Sequence, residues 1–422
     1  MERKITKELL KWKRDINKKP LLIYGPRQIG KTYSVLNFGN KEYKNIIYFD
    51  TNINSELTNI LSKETVLEKM VNKLSSLTGE TIFENDSLII FDNFNNKKLF
   101  KSLKGFNGSK YHVILITNIK EMIESLKGEE IQIKTMYSMD FEEYLKAQNK
   151  EQLILFIKDS FKTGNSMPFH SLALEYFEEY LITGSMPEAI ECYLKTKDLN
   201  KVRSVHQKII NIMKSDTVLN KNLIDITRSV DIIDAIASQL QKNNPKFQYN
   251  VMKTGSRASD YENSIDFLCN NNLIYRSYKI SNIVIPLNKE KDNDSFKLFL
   301  PDTGLLYTKM HLTQNKLFMN NNMKNILYET AVANTLNSLG YNLYYYQSEG
   351  KAMVNFIINS RQGKVIPIEI VNPNLTKAKA LTLLMNKFDL KEAFRITENN
   401  FSFKKEVKYI PVYAIFCLRD VL

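Results

Sequence analysis

Residues 20–32 read Pro20-Leu-Leu-Ile-Tyr-Gly25-Pro-Arg-Gln-Ile-Gly30-Lys31-Thr32, and this stretch predicts the fold of the N-terminal region. A glycine, four residues and then glycine-lysine-threonine form the phosphate-loop pattern. The glycines let the backbone turn so that N–H groups face a phosphate, while the lysine reaches the β- and γ-phosphates and the threonine hydroxyl contacts Mg²⁺. The apolar run Leu21–Tyr24 predicts a buried strand before the loop, and 32–38 predicts a helix after it. The pattern therefore predicts nucleotide binding.

The predicted ligand is ATP with Mg²⁺. The residues expected to contact the nucleotide lie in the loop, at the start of the following helix and at a later strand end: Gly25, Pro26, Arg27, Gln28, Ile29, Gly30, Lys31, Thr32, Tyr33, Thr117 and Asn118. The two expected metal-binding residues are Thr32 and Asp92.

The run Ser87–Asp92 predicts an apolar strand with an acid at its carboxyl end. A phosphate-loop ATPase needs a carboxylate there to hold Mg²⁺ through water opposite Thr32. The alternative is an ordinary turn aspartate, but the phosphate loop upstream favours the Mg²⁺ role. ATPases of the AAA type usually have Glu at the next position, where this chain has Asn93. Because an amide orients water but cannot accept its proton, we expect Lys31 and Asn93 to be the catalytic residues of a slow or inactive ATP hydrolase.

Another buried strand is predicted for Tyr111–Thr117. Thr117 and Asn118 at its end either sense the γ-phosphate or simply begin a loop, and both interpretations remain open. Strands that alternate with helices predict a parallel sheet flanked by helices, with the ligand at the carboxyl ends of the strands.

Composition limits the class of protein. The chain has 422 residues, enough for several domains, and a net charge of +13 that favours a polyanionic partner. A sequence rich in Lys, Asn and Ile also arises from AT-rich coding bias, so the charge alone does not establish nucleic-acid binding. No apolar run approaches the roughly 18 residues of a membrane span, and the N-terminus has no secretory signal. Three distant cysteines form neither a disulfide framework nor a metal cluster, which predicts a cytoplasmic protein.

The pattern along the chain predicts four domains: an ATPase core at 1–140, a helical lid at 141–222, a winged-helix-like domain at 223–312 and an α/β domain at 313–422. The third combines helices with a β-like run at 280–287, and the fourth ends in a strand predicted for 409–416. Winged helices bind DNA or a neighbouring protein, and both alternatives remain open. The basic residues of the winged-helix-like domain are Lys246, Lys253, Arg257 and Arg276.

Taken in order, several motifs resemble a prokaryotic family that joins an N-terminal AAA-type ATPase domain to a C-terminal domain of unknown function, number 4143. They are Trp12, Pro20, Gly25-Pro-Arg-Gln-Ile-Gly-Lys-Thr32, Leu88-Ile-Ile-Phe-Asp92, Met136-Tyr-Ser-Met-Asp-Phe-Glu-Glu-Tyr144, Gly184-Ser-Met-Pro-Glu-Ala189, Ser238-Gln-Leu240, Lys246-Phe247, Phe296-Lys-Leu298, Asp302-Thr-Gly-Leu-Leu306 and Ile366-Pro-Ile-Glu369. The resemblance implies an AAA-type parallel sheet with a helical lid, and a C-terminal domain that looks like a restriction endonuclease.

This chain departs from the family pattern at both ends. The nuclease pattern has an acid before Phe and then Glu-x-Lys. In this chain Asn355 replaces the first acid and Val371 replaces the lysine, while Glu369 is retained. One carboxylate without a lysine cannot build that metal site, so we expect a degenerate nuclease domain. Many relatives also carry Arg or Lys after the glycine that corresponds to Gly128, where this chain has acids at 129–130.

These departures predict a protein that binds Mg²⁺-ATP and hydrolyses it weakly, as a switch acting on DNA or a protein partner. The alternative is a DNA-binding module or a protein-interaction scaffold with a largely structural nucleotide site. We expect no association with a membrane. An oligomer remains an alternative to a monomer, although the missing basic residue after Gly128 removes one reason for a neighbouring copy to complete the site.

Overall fold

The computed structural model describes residues 1–53, 59, 61–126, 128–219, 222–242, 246–252, 255–313, 320–348, 352–371 and 379–422. The chain forms two compact units, Met1–Ser138 and Met139–Leu422. Within the described ranges we find no helix with both the length and the apolar character needed to cross a membrane.

The first unit is an α/β layer structure. Its strands are β1 (Leu21–Tyr24), β2 (Asn45–Asp50), β3 (Ser87–Asp92), β4 (His112–Thr117) and β5 (Gln132–Thr135). Its helices are α1 (Ile5–Arg14), α2 (Lys31–Glu42), α3 (Leu67–Thr78), α4 (Lys97–Leu103) and α5 (Lys120–Leu126). The strands form a sheet in the order β2-β3-β4-β1-β5, and every neighbouring pair is parallel. This arrangement confirms the predicted parallel sheet.

The core of this unit follows from the apolar runs in the sequence. Every residue of β1, β3 and β4 is buried, which is typical of parallel strands covered by helices on both faces. Trp12 of α1 is 1% exposed, and its indole Nε1 donates to the Lys19 carbonyl at 2.8 Å. The first helix is thereby fixed against the segment that leads into β1.

The second unit begins with helices and continues into a mixed sheet. Its helices are α6 (Phe141–Ala147), α7 (Glu151–Thr163), α8 (His170–Thr183), α9 (Pro187–Thr196), α10 (Leu199–Asp216), α11 (Leu223–Leu240), α12 (Ala258–Asn270), α13 (Thr303–Lys309), α14 (Asn321–Ser338) and α15 (Lys379–Phe388). Its strands are β6 (Tyr275–Ile280), β7 (Lys291–Phe299), β8 (Leu343–Gln347), β9 (Met353–Asn359), β10 (Val365–Ile370), β11 (Ala393–Thr397), β12 (Ser402–Lys404) and β13 (Val407–Pro411).

One eight-stranded sheet runs through the predicted winged-helix and C-terminal regions, in the order β12-β13-β11-β10-β9-β8-β6-β7. The hairpin β6–β7 is antiparallel, and β6 pairs in parallel with β8. The boundary predicted near residue 312 is therefore crossed by this sheet. Strands β8, β9 and β10 are successively antiparallel, and β11 joins β10 in parallel after α15.

Two strand predictions in the second unit are wrong. The run 280–287 extends β6 only by its first residue and then leaves the sheet, since the chain bends at 281–282 and 285–286 and forms a 3₁₀-helix over Leu287–Glu290. The run 409–416 forms a strand only to Pro411, and a 3₁₀-helix spans Val412–Asp420. Its residues 412–418 are all buried, and a buried apolar run does not by itself distinguish a strand from a helix.

Candidate functional site

The loop between β1 and α2 has the backbone that its glycines predict. Gln28 and Gly30 have left-handed φ angles of 64° and 83°, and Gly30 caps the start of α2. A Cβ on Gly25 would lie 2.2 Å from the carbonyl oxygen of Met136, so the loop passes the chain after β5 at a distance that only glycine allows. The first N–H groups of α2 have no carbonyl to bind within the helix itself, so the start of this helix favours an anion.

Lys31 and Arg3 both donate to carbonyl groups of the loop. The Lys31 ammonium Nζ lies 2.8 Å from the Gly25 carbonyl oxygen and 2.6 Å from that of Pro26. The guanidinium of Arg3 donates to the carbonyl of Ile29 at 2.6 Å and to that of Tyr137 at 2.7 Å. Arg3 is 6% exposed, and it holds the loop to the end of the first unit. No local sequence pattern predicts these two hydrogen bonds of Arg3.

Thr32 and Asp92 meet at the carboxyl end of the sheet. The Thr32 hydroxyl Oγ1 donates to Asp92 Oδ2 at 2.6 Å, and the Tyr48 hydroxyl donates to the same oxygen at 2.9 Å. The backbone N–H of Asn93 donates to Asp92 Oδ1 at 2.8 Å. Partial burial, together with the adjacent Asp92, raises the pKa of Tyr48 well above its usual value. The tyrosine therefore remains a protonated donor, and the three groups that bind this carboxylate among the described residues are neutral.

Asn93 is bound to the end of the neighbouring strand. Its amide Nδ2 donates to Asp50 Oδ2 at 2.9 Å, and its carbonyl accepts from Thr51 Oγ1 at 2.7 Å. Its φ of 53° is left-handed, a conformation that Asn adopts more readily than Glu. The backbone at this position therefore favours the asparagine that replaces the glutamate of AAA-type ATPases.

Thr117 and Asn118 lie at the end of β4 beside the loop. The Thr117 carbonyl accepts from the Gly25 N–H at 3.3 Å, and its hydroxyl accepts from the Ile119 N–H at 3.2 Å. Thr117 is 1% exposed, whereas Asn118 is half-buried. Both side chains border the same pocket.

A pocket of about 310 Å³ collects these groups. It is lined by Arg27, Gln28, Gly30, Lys31, Thr32, Tyr33, Asp92, Asn93, Ile116, Thr117 and Asn118. The predicted residues that do not line it are Gly25, Pro26 and Ile29, and the last of these has its side chain fully buried.

Sequence reasoning missed Tyr48, Asp50 and Thr51. What could have indicated them is their position at the carboxyl end of β2, because a polar group at the end of a strand next to β3 lies near Asp92. Asp50 and Asp92 are paired in the parallel register of β2 and β3. The order of the strands is needed before this proximity can be recognised.

The acids that follow Gly128 are engaged on the surface. Glu129 forms an ion pair with Lys104 at 2.5 Å, and Glu130 accepts a hydrogen bond from the Asn107 amide. Neither residue belongs to the groups that line the pocket.

In the second unit, the predicted degenerate nuclease positions lie on neighbouring strands. Asn355 Oδ1 on β9 accepts from the Ile370 N–H at 2.9 Å. The Glu369 carboxylate on β10 is bound by Arg395, whose Nε and one terminal nitrogen lie 2.8 and 2.7 Å from its Oε2. Arg395 also donates a hydrogen bond to the Tyr409 hydroxyl at 2.9 Å. Burial raises the pKa of Glu369, while Arg395 opposes that rise. Over the described part of the chain, no three His, Cys, Asp or Glu residues cluster as metal ligands.

The basic residues of the predicted winged helix have different surroundings. Arg276 is paired with Glu262 and Asp266, each at 2.6 Å, and its side chain is only 5% exposed. Arg257 is exposed at the start of α12, Lys246 is half-buried, and Lys253 lies outside the described residues.

The order of the parallel strands, the loop after β1 and the acid at the end of β3 are consistent with a P-loop AAA domain. Residues 17–145 match the family model described as an AAA domain, which confirms the AAA part of the resemblance. Residues 174–316 match a domain of unknown function, DUF8612, so the second match is to a different model from number 4143. No match to a curated protein was found.

Proposed function

We propose that the first unit binds Mg²⁺-ATP in the pocket beside α2 and hydrolyses it slowly. The hydrogen bond of 2.6 Å between Thr32 and Asp92 carries this proposal, because it joins the helix that receives phosphates to the strand that supplies a carboxylate. Lys31 would contact the β- and γ-phosphates, and Thr32 and Asp92 would hold Mg²⁺. Of the loop residues, Arg27, Gln28 and Gly30 line the pocket and would surround the nucleotide together with Tyr33.

The residues fit a magnesium ion in particular. Mg²⁺ keeps several waters and usually takes one or two carboxylates together with substrate phosphates. Asp92 provides one such carboxylate, and the Thr32 hydroxyl is oriented by it. When bound, the ion would neutralise charge on the phosphates during transfer.

The residues beside the phosphate site favour slow turnover. Asn93 would position the attacking water without accepting its proton, and Thr117 or Asn118 would sense the γ-phosphate. The acids after Gly128 supply no cation for the transferring group. Lys31 remains as a cation of this unit that lines the pocket close to the phosphate loop.

We further propose that the nucleotide state acts as a switch on DNA or a protein partner through the second unit. A helix, three antiparallel strands, a helix and a parallel strand (α14 to β11) support a restriction-endonuclease-like fold for the C-terminal region. The Glu369–Arg395 pair supports a binding or structural role rather than nuclease chemistry. We propose likewise that residues 141–222 form a helical lid and residues 223–312 a winged-helix-like domain.

Nucleotide affinity and steady-state turnover test the proposed site. We expect wild-type protein to bind ATP with Mg²⁺, and Lys31→Ala to lose roughly tenfold to a hundredfold in affinity, because a charged hydrogen-bond donor is removed. Lys110→Ala, which removes an exposed lysine paired with Glu84, is the matched control and should leave affinity unchanged.

The rate separates a working ATPase from a nucleotide-held scaffold. Turnover abolished by Lys31→Ala would mean that Asn93 suffices for hydrolysis. Tight binding without turnover, with hydrolysis gained in Asn93→Glu, would mean that the wild type only holds nucleotide. Absence of any Mg²⁺-dependent ATP affinity would overturn the proposal.

Duplex DNA remains the alternative partner, favoured by the net charge of +13 and by the exposed Arg257. Arg276 contributes little to this alternative, because two carboxylates already bind its guanidinium. A salt-dependent affinity for duplex DNA that falls on charge reversal of Lys246, Lys253 and Arg257 would support it. A specific protein retained without any dependence on DNA would favour the scaffold instead.

A further inference from the structure

The orientation of the Asn93 side-chain amide is set by Asp50. Its Nδ2 donates to Asp50 Oδ2 at 2.9 Å, and the residue lines the pocket beside Lys31 and Thr32. With the NH₂ group directed to Asp50, the carbonyl oxygen Oδ1 is the amide atom that is left to accept a hydrogen bond. A free asparagine could turn either group to a neighbouring water.

Asp50 is itself held in place by the end of its strand. Its other oxygen, Oδ1, accepts from the Asn52 N–H at 2.9 Å. The next residue, Thr51, donates its N–H to the Asp92 carbonyl at 3.0 Å and its hydroxyl to the Asn93 carbonyl at 2.7 Å. These bonds join the ends of β2 and β3, so Asp50 and Asn93 keep a fixed relation.

We propose that Asp50 is a positioning residue for ATP hydrolysis, which fixes the Asn93 amide so that its carbonyl oxygen accepts a hydrogen bond from the attacking water. The inference rests on the proposed function of the pocket. A carboxylate accepts but does not donate, so Asp50 can bind only the NH₂ side of the amide. The charge of Asp50 is not required for this role; an acceptor at its position is.

The proton balance explains why a neutral amide suffices for slow turnover. The water oxygen forms a bond to the terminal phosphorus, and the bond from that phosphorus to the bridging oxygen breaks with its electron pair left on ADP. One proton stays on the new P–OH group. The other passes to a phosphate oxygen and then to solvent, since an amide oxygen does not retain a proton near neutral pH.

Two substitutions at position 50 test the inference in the full chain. Asp50→Asn keeps an acceptor oxygen without the charge, and we expect kcat within about threefold of wild type. Asp50→Ala removes the acceptor and frees the amide, and we expect kcat to fall roughly tenfold or more, since small misplacements near reacting atoms cost up to about a hundredfold. ATP affinity should change little in both variants, because Asp50 is not among the groups that line the pocket.

A double-mutant cycle shows whether Asp50 acts through Asn93. In an Asn93→Ala background, Asp50→Ala should lower kcat no further, since the group that it orients is gone. The pH dependence of kcat should be the same for wild type and Asp50→Asn. ATP affinity and thermal unfolding measured on each variant establish that it is folded.

Three results would overturn the inference. If Asp50→Asn loses as much turnover as Asp50→Ala, an acceptor oxygen at position 50 is not sufficient and the inference fails. Additive effects in the cycle would show that it does not act through Asn93. Wild-type protein that binds ATP but does not hydrolyse it would remove the inference and leave nucleotide binding standing, whereas absence of binding would overturn the proposed function itself.

Discussion

Asp92 and Glu369 are both buried carboxylates near the ends of strands, but the groups around them differ in charge. Asp92 is bound by Thr32, Tyr48 and a backbone N–H, which are neutral donors beside an open pocket. Glu369 is bound by two nitrogens of the Arg395 guanidinium. Neutral donors orient a carboxylate while its negative charge remains, whereas a guanidinium neutralises it. The first arrangement is suited to a divalent cation, and the second to a structural ion pair.

Removing the guanidinium gives the largest effect that this comparison predicts. Arg395→Met would leave Glu369 buried without its cation, and breaking a buried pair in this way costs about 3–5 kcal/mol. Thermal and denaturant unfolding of the full chain measure the loss. Lys408→Met, which removes a half-exposed lysine from the pair with Glu392 on the same sheet, should cost under about 1 kcal/mol.

The pH dependence of the stability loss in Arg395→Met tests whether a buried charge on Glu369 causes that loss. Burial already raises the pKa of Glu369, and losing Arg395 would raise it further. A carboxyl with a raised folded-state pKa stabilises the fold below its unfolded pKa, and that contribution is lost as pH rises through the folded value. We therefore expect the deficit to shrink in acid and to grow toward neutral pH. The double variant Arg395→Met with Glu369→Leu should recover most of the stability, and a deficit independent of pH would contradict the buried-charge explanation.

The matching change in the first unit is Asp92→Asn, which keeps the shape and removes the charge. We expect ATP affinity in Mg²⁺ to fall by roughly tenfold to a hundredfold, the effect of one hydrogen-bonded charge. Affinity measured with a chelator should be unchanged. Asp86→Asn, an exposed acid that precedes the opposite end of β3, is the control. Equal losses with and without Mg²⁺ would show that Asp92 supports the fold rather than the metal.

The sequence predicts the pocket better than it predicts the contacts within it. The phosphate-loop pattern and the apolar runs locate β1 and β3 at their observed bounds, because a buried strand and a strand-end acid are local signals. The hydrogen bonds of Tyr48 and Asp50 depend on β2 lying next to β3 in a fixed register. That order is set by the packing of the whole sheet, so no short pattern reveals it.

The same reason applies to the second unit. Glu369 is a recognisable position, but Arg395 lies on the next strand after a helix, and only the parallel pairing of β10 with β11 places the two side chains together. The strand predicted after Pro411 was wrong for a different reason. The run is apolar at successive positions, so its hydrophobic pattern does not distinguish a strand from the 3₁₀-helix that it forms.

The smallest effect concerns the neutral donors themselves. Tyr48→Phe removes one of the three hydrogen bonds to Asp92 and keeps its charge, so Mg²⁺-dependent ATP affinity should fall only by about twofold to tenfold, the range of a neutral hydrogen bond. Tyr43→Phe, whose hydroxyl is bonded to His112, is the control in the same unit. Because the raised pKa keeps Tyr48 protonated, the difference between wild type and Tyr48→Phe should not change from neutral to mildly alkaline pH. A loss as large as that of Asp92→Asn would mean that Tyr48 contacts the metal or the nucleotide directly, and that the neutral donors do more than orient the carboxylate.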